Sequence, residues 1–279
     1  MAICHRTIRL VARSRRVVSI VNMSITSQPW RGGVPLNPRT TLSDLIARVF
    51  SAPFAKVFNS PIASPGAVAA IPWYLSGGIV AANCVVAYDA KNAASQAASY
   101  INLNNPGTND AVVGSAPTWA AGSGWTFDGI AQYLYVPIQA ASHWSYYIRC
   151  SPDYTQAGPN KNLFGIMTSN FEIVGIRFDN GNGLWVWYHN DIKIITGRTA
   201  ANAVWAIVDT KGYENTTQVA TGMLGTLSGT IVSRFGISAR IEPFNIPTLF
   251  KSQTVNQFAI FNIDTASSHA ALVTAILAL

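Results

Sequence analysis

The residues of this sequence that could do acid–base chemistry are few and widely separated. Three glutamates, Glu172, Glu214 and Glu242, lie far apart along the chain, and most of the acidic residues fall in predicted turns. A retaining glycosidase instead holds two carboxyl groups about 5 Å apart across the scissile bond. The sequence has no G-x-S-x-G or H-E-x-x-H motif, and no glycine-rich phosphate loop leads into a helix. We therefore expect a protein that is not an enzyme.

Two short patterns carry side chains that metals bind. His189 and Asp191 are two residues apart on a predicted strand and share a face, but the sequence offers no third and fourth ligand beside them. Asp179, Asn180 and Asn182 supply the oxygen atoms that Ca²⁺ prefers, yet they lack the spacing of an EF-hand loop. A turn between two strands is the favoured interpretation of that segment. We expect no cofactor, with calcium at these three residues as the weaker alternative.

The aromatic residues of one predicted strand are candidates for binding a ligand. Trp185 and Trp187 are two residues apart and face one side of the strand, whereas Leu184, Val186 and Tyr188 face the other. Aromatic faces can stack on sugar rings, but one face of a sheet also needs large side chains for its core. Both interpretations stay open for Trp185, Trp187 and Tyr188.

The positive charge is concentrated near the N-terminus. The net charge is +7, and residues 1–60 hold nine Lys and Arg against the single acid Asp44. In residues 1–28 arginine alternates with Val, Ile and Leu, which indicates either an anchor on an acidic partner or a solvated tail. The partner of such an anchor is a phosphate backbone or an acidic protein surface. The candidate anchoring residues are Arg6, Arg9, Arg13, Arg15 and Arg16.

Two domains are predicted, with the boundary near residue 72. Thr41 with Asp44 begins a short amphipathic helix that ends near Phe50, and prolines punctuate the following segment up to Pro72. Residues 1–71 are thus predicted to form a basic arm, and residues 72–279 a compact domain. The apolar stretches are too short for a spanning helix or a convincing secretory signal, so we expect synthesis in a reducing cytoplasm without secretion by a signal peptide. Three cysteines without C-x-x-C spacing predict small buried or bystander thiols rather than disulfides or a zinc site.

The compact domain has the pattern of an all-β protein. Only 11% of residues are charged, and turn-forming residues separate ten to twelve short apolar segments. Asp128-Gly129 predicts a hairpin between strands near Trp125 and Tyr133. Residues 143–150 alternate, which predicts one buried and one solvated face, and Trp205 is a predicted core residue. Further strands are predicted at residues 163–167, 171–178, 184–195, 203–209, 232–241 and 254–262.

Three segments in order resemble the concanavalin A-like lectin/glucanase family, in particular its laminin-G-like branch. They are the opening strand at residues 85–89, the run from Trp119 to Pro137, and the closing strand with a helix at residues 257–277. The resemblance implies a two-sheet antiparallel jelly-roll sandwich with a short C-terminal helix, preceded here by the basic arm. The E-x-D-x-x-E motif of the family's glucanases is absent, which agrees with a non-enzymatic protein.

The run Trp73-Tyr-Leu-Ser-Gly-Gly-Ile79 is similar to uncharacterised phage and prophage proteins. That similarity implies a virion structural, decoration or tail-associated protein, made in the host cytoplasm and held to neighbouring subunits by its arm. The expected partners are other virion or assembly subunits and further copies of this chain, with a glycan or nucleic acid as alternatives and no membrane. A lectin-like module for cell-surface glycans is the second hypothesis, and a glycan hydrolase is the third.

Overall fold

The computed structural model divides into two units, Met1–Ala69 and Ala70–Leu279. It describes backbone and side chains for residues 70–156, 161–178, 201–223, 227 and 234–279, and it adds the backbone of several further strand residues. In the first unit, β1 (Thr7–Arg13) and β2 (Val18–Ser24) pair as an antiparallel hairpin. The predicted helix from Thr41 to Phe50 lies outside the described residues.

The described strands of the second unit form two sheets. Sheet I has nine strands in this part of the chain and sheet II has eight. Sheet I consists of β4 (Val112–Ser115), β7 (Tyr133–Val136), β9 (Lys161–Met167), β10 (Ile173–Asp179), β11 (Leu184–His189), β12 (Ile192–Ile195), β16 (Phe235–Ile237), β17 (Arg240–Glu242) and β18 (Ile246–Thr248). Sheet II consists of β3 (Cys84–Asp89), β5 (Thr118–Ala120), β6 (Gly124–Asp128), β8 (Ser145–Pro152), β13 (Ala203–Val208), β14 (Lys211–Glu214), β15 (Thr217–Ala220) and β19 (Ser252–Phe261).

Almost all strand pairs are antiparallel. The strand order is β12-β11-β10-β9-β16-β7-β4 in sheet I and β15-β14-β13-β8-β19-β6-β5 in sheet II. In addition, β17 pairs with β9 and β18, and β3 pairs with β19. The described helices are α1 (Gln96–Ser99) and α2 (His269–Leu277), with single 3-10 turns at Trp73–Leu75, Ala81–Asn83 and Pro243–Asn245. The predicted two-sheet sandwich with a short C-terminal helix is confirmed.

The main core lies between the inner faces of the two sheets. Trp125, Tyr146 and Phe258 of sheet II and Phe164 and Phe235 of sheet I are fully buried there. The rings of Tyr146 and Phe235 stack with centroids 5.1 Å apart. Burying a side chain of this size contributes about 1.5–3 kcal/mol, so the inner faces of the strands account for most of the stabilisation.

A second core covers the outer face of sheet II. Helix α2 packs Leu272, Val273 and Ile276 against Tyr147 and Val204 of that sheet. The prediction that one face of β8 is solvated is therefore wrong, because α2 shields it: Tyr147 and Arg149 are both buried. The prediction that Trp205 is a core residue is confirmed.

The predicted hairpin around Asp128-Gly129 is also wrong. Strand β6 pairs with β5 and β19 in sheet II, whereas the following strand β7 pairs with β4 and β16 in sheet I. The Asp128 carboxylate accepts hydrogen bonds from the backbone amides of Ile130, Ala131 and Gln132. This wider turn carries the chain from one sheet to the other instead of reversing it within a sheet.

Several predicted strands are interrupted. Residues 184–195 form two paired strands, β11 and β12, and the predicted strand 232–241 contains the short strands β16 and β17.

Among the described residues the cysteines are unpaired and buried, as predicted for small thiols, and burial raises the pKa of Cys84 to about 12. In the same part of the chain no helix is long and apolar enough to cross a membrane.

Candidate functional site

Two turns of sheet I lie side by side because β9 and β17 run in parallel. Gly165 pairs with Arg240, and Ile166 pairs with Ile241. Since the strands point the same way, the turn after β9 and the turn after β17 leave the sheet at the same end. At this end the strands follow the order β10, β9, β17, β18.

The turn between β9 and β10 presents Phe171 to solvent. Thr168 anchors the turn: its backbone amide donates to Glu172 O at 2.8 Å, and its carbonyl accepts from Phe171 N at 3.0 Å. The backbone of Phe171 adopts φ 62°, in the left-handed region, and its side chain is 76% exposed. A bulky residue is rare in this conformation.

The turn between β17 and β18 presents a second phenylalanine in the same conformation. Phe244 has φ 67°, and its side chain is 90% exposed. Ile246 follows it and is 53% exposed. We call Phe171, Phe244 and Ile246 the aromatic rim. Three large apolar side chains thus face solvent at one end of sheet I.

Polar groups lie next to the rim. Glu242 Oε1 accepts from the Arg240 guanidinium at 2.5 Å and from Thr248 Oγ1 at 2.7 Å. Burial alone would raise the pKa of Glu242, but these hydrogen bonds and the Arg240 charge outweigh it, so the pKa is lowered. Asn245 Oδ1 is buried and has no hydrogen-bond partner among the described residues. The exposed rings of the rim therefore lie beside a carboxylate that is already bonded to Arg240 and Thr248.

Trp185, Trp187 and Tyr188 are the aromatic residues that the sequence offers as ligand-binding candidates, and their side chains lie outside the described part of the chain. The backbone register pairs Trp187 with Ile176, Trp185 with Phe178 and Tyr188 with Gly175. Ligand binding by Trp185, Trp187 and Tyr188 stays a prediction. The side chains of His189 and Asp191, and those of the calcium candidates Asp179, Asn180 and Asn182, also lie outside that part.

The anchoring arginines are described only in part. Arg9 and Arg13 are positions of β1, opposite Asn22 and Val18 of β2, and only their backbone is described. Arg6, Arg15 and Arg16 lie outside the described residues. In the described part of the chain, no group of three His, Cys, Asp or Glu residues could hold a metal ion.

Sequence analysis missed the aromatic rim. Phe171 was assigned to the strand 171–178, and Phe244 was given no role. The available signal was a large aromatic side chain among turn formers, in Ser169-Asn170-Phe171 and Pro243-Phe244-Asn245. The two phenylalanines are 73 residues apart, and the parallel pairing of β9 and β17 brings their turns to the same end of sheet I.

The fold of the second unit defines its class as a two-sheet antiparallel β sandwich. The chain matches no protein-family model and no curated protein. It is similar to solved structures of Trypanosoma rangeli sialidase, in complex with sialic acid at 16% identity and a TM-score of 0.50, and in complex with 2,3-difluoro-KDN at 15% and 0.50. These alignments cover 70% and 69% of this chain and 33% and 32% of the sialidase chains.

The binding domain of botulinum neurotoxin serotype D is also similar, at 12% identity, with a TM-score of 0.47 over 70% of this chain and 52% of that chain. The chain thus spans about a third of the length of the sialidases that it matches. The similarity to the sialidases, at such low identity, shows a shared fold, and a shared fold does not establish a shared activity.

Proposed function

We propose that this protein is a non-enzymatic recognition module, a lectin-like β sandwich that binds glycans at the aromatic rim. The observation that carries the proposal is the presentation of two exposed phenylalanines, both in the left-handed conformation, on adjacent turns of one sheet end. An exposed ring adds little to the core, and the conformation is unfavourable for it. Side chains held in this way commonly serve binding.

The chemistry of the rim favours a sugar over a nucleic acid. Aromatic faces offer an apolar surface on which the C–H groups of a sugar ring can stack. Nucleic acids require an excess of positive charge. Arg240 lies next to the rim, but its positive charge is already paired with Glu242, so it adds no excess positive charge there.

The glutamates support a binding role rather than hydrolysis. A general acid of a glycosidase needs a raised pKa, whereas the pKa of Glu242 is lowered by its partners. Glu172 Oε2 accepts from Thr168 Oγ1 at 3.1 Å and helps to hold its turn. Glu214 is buried on β14 in sheet II.

The experiment compares glycan binding by the full chain with that of Phe171→Asn, Phe244→Asn and the double variant on an immobilised glycan panel. Asparagine tolerates the left-handed conformation, so the fold is retained while the rings are removed. The matched control is Ile130→Asn, because Ile130 is 78% exposed in a different turn. We expect about a tenfold loss of affinity for each single variant and none for the control. Equal binding by the double variant and the parent would contradict the proposal.

The module is further proposed to be displayed on a larger assembly by its basic N-terminal arm. The uneven charge supports this, because residues 1–60 hold nine bases and one acid. The resemblance of Trp73–Ile79 to phage proteins favours a virion surface, decoration or tail-associated position, with assembly in the host cytoplasm.

A further inference from the structure

We propose that Thr168 and Thr248 are positioning residues of the aromatic rim. Each threonine closes one turn by a hydrogen bond to a glutamate carboxylate and so keeps the phenylalanine of that turn directed at solvent. The inference rests on the glycan binding proposed above and adds the residues that prepare the rim for it. It is supported by the hydrogen bonds of the two turns, which share this arrangement although they belong to separate hairpins.

Both phenylalanines of the rim lie in short turns that need to be held in shape. Residues 169–171 join Thr168 to Glu172, whose backbone groups are bonded to each other, and residues 243–245 follow Glu242 in the hairpin of β17 and β18. Three-residue turns commonly contain one residue in the left-handed conformation, which glycine or asparagine adopts most easily. A phenylalanine persists in this conformation only where its surroundings fix the backbone.

The hydroxyl group of Thr168 makes all of its hydrogen bonds within its own turn. Thr168 Oγ1 donates to Glu172 Oε2 at 3.1 Å. It accepts from the backbone amides of Asn170 at 3.3 Å and of Glu172 at 3.2 Å. One donor and two acceptor positions are what a hydroxyl group offers. Thr168 is fully buried, so water has no access to replace these bonds. They fix the backbone on both sides of Phe171.

Thr248 closes the second turn with the same pair of groups. Its Oγ1 donates to Glu242 Oε1 at 2.7 Å. Glu242 is paired with Ile246, two positions before Thr248, so the bond runs diagonally between the two strands of the hairpin. The guanidinium of Arg240 donates to the same carboxylate oxygen and holds it in place. The bond therefore joins β17 to β18 directly behind Phe244.

Chymotrypsin measures how firmly each turn is held, and it does so without a glycan, because it cleaves after phenylalanine and needs the turn to open first. We expect Thr168→Val, which removes the hydroxyl group but keeps the branched shape, to raise initial cleavage at Phe171 about tenfold and to leave cleavage at Phe244 unchanged. Thr248→Val should do the converse. Thr168→Ser and Thr248→Ser keep a hydroxyl group and should be cleaved like the parent. Phe171→Asn and Phe244→Asn lack the cleaved residue and so identify the two products by mass.

The glycan panel gives the second measurement. We expect Thr168→Val and Thr248→Val each to lower glycan affinity about threefold or more although both phenylalanines are present, and the serine variants to restore it. The matched control is Thr126→Val, because the hydroxyl group of Thr126 bonds Thr254 at 3.2 Å in sheet II. This control should change neither cleavage rate nor glycan affinity.

Two results would overturn the inference. One is cleavage that rises equally at both phenylalanines in each valine variant, since that indicates a general loss of stability. The other is glycan affinity that depends on both phenylalanines but is unchanged in both valine variants. Absence of glycan binding by the parent would instead overturn the proposed function, and cleavage would still decide whether the threonines hold the turns. If Thr168→Val does not fold, Thr248→Val carries the same test, because Thr248 is only partly buried.

Discussion

Phe171 and Phe244 each destabilise the turn in which they lie, because both adopt the left-handed backbone conformation. In the left-handed conformation the Cβ of an L-residue approaches the following carbonyl, at a cost of roughly 1–2 kcal/mol. Both side chains are largely exposed, so packing does little to offset that cost. Folding therefore does not account for a large aromatic side chain at either position, which is why we propose a binding role for both.

Replacing either phenylalanine by asparagine should stabilise the protein. We expect Phe171→Asn and Phe244→Asn each to raise the free energy of unfolding by about 0.5–1 kcal/mol, because asparagine adopts the left-handed conformation at lower cost. Urea unfolding followed by tryptophan fluorescence measures the change. Ile130→Asn is the control and should remain within about 0.5 kcal/mol of the parent. A loss of stability in both phenylalanine variants would show that the rings support the fold.

The alternation of residues in β8 predicted the buried face of the strand correctly, but it did not predict that the opposite face is also buried. Alternation correctly places Tyr146, Ile148 and Cys150 in the core. The same alternation could not show that Tyr147 and Arg149 are covered, because the covering helix follows more than a hundred residues later. Nor could it identify Lys251, a fully buried lysine whose ammonium lies 4.3 Å from the ring of Phe178, and whose pKa burial lowers to about 8.

At the scale of elements, helix α2 is fixed to sheet II at both ends. Near its C-terminus Arg149 donates to Ile276 O at 2.8 Å, where a cation also complements the helix dipole. At its first residue, His269 Nε2 donates to Asn215 O at 2.9 Å, so Nδ1 accepts from Tyr147 Oη at 3.0 Å. A carbonyl can only accept, and this fixes the neutral tautomer of His269.

The attachment of α2 should weaken in mild acid. Burial lowers the pKa of His269, although the hydrogen bond to Asn215 O partly opposes that shift. The unfolded chain, with a histidine pKa of about 6.5, therefore takes up the proton first as the pH falls. The stability contributed by neutral His269 is complete above that pH and is lost below it. Tyr147, Tyr213 and Asp264 are the other titratable groups near this network.

Unfolding free energies at pH 7 and pH 5 test this expectation. The parent and His143→Gln should both lose stability at pH 5, since His143 is exposed and its partner is Asp209 rather than a residue of α2. His269→Gln should be less stable at pH 7 but should show a smaller change between the two pH values. An equal pH dependence in His269→Gln and the parent would assign the acid sensitivity to other groups.

The sequence predicted where several strands and the C-terminal helix occur, but it did not predict which strands pair with each other. The closing strand and helix follow from their own apolar patterns, and they occur as β19 and α2. The turn at Asp128 has the sequence of a hairpin, yet three backbone amides bind its carboxylate and the chain changes sheets. Turn composition indicates where a strand ends, whereas the partner of the next strand depends on contacts distant in sequence.

At the scale of the whole molecule, the two units predict separable roles. A fragment beginning at Pro72 retains both sheets and both cores, so it should fold and bind glycans like the full chain. It should not cosediment with the native assembly if residues 1–71 are the anchor. A variant with Arg6, Arg9, Arg13, Arg15 and Arg16 changed to Gln tests whether charge is responsible.

We expect the full chain to dissociate from the assembly more readily as salt rises from 50 to 200 mM, because the proposed anchor is electrostatic. Unchanged association of the fragment would contradict the anchoring role and would make the sandwich itself the attachment surface.

Strand β19 has a consequence for the order in which the protein can fold. It lies between β8 on one edge and both β3 and β6 on the other, and residues 257–261 pair with residues 84–89. Pairing across such a separation is slow, because a long loop must close before any contact forms. During synthesis the edges of β3, β6 and β8 that pair with β19 therefore stay open until residue 261 has been translated, so β19 is the last strand to join sheet II.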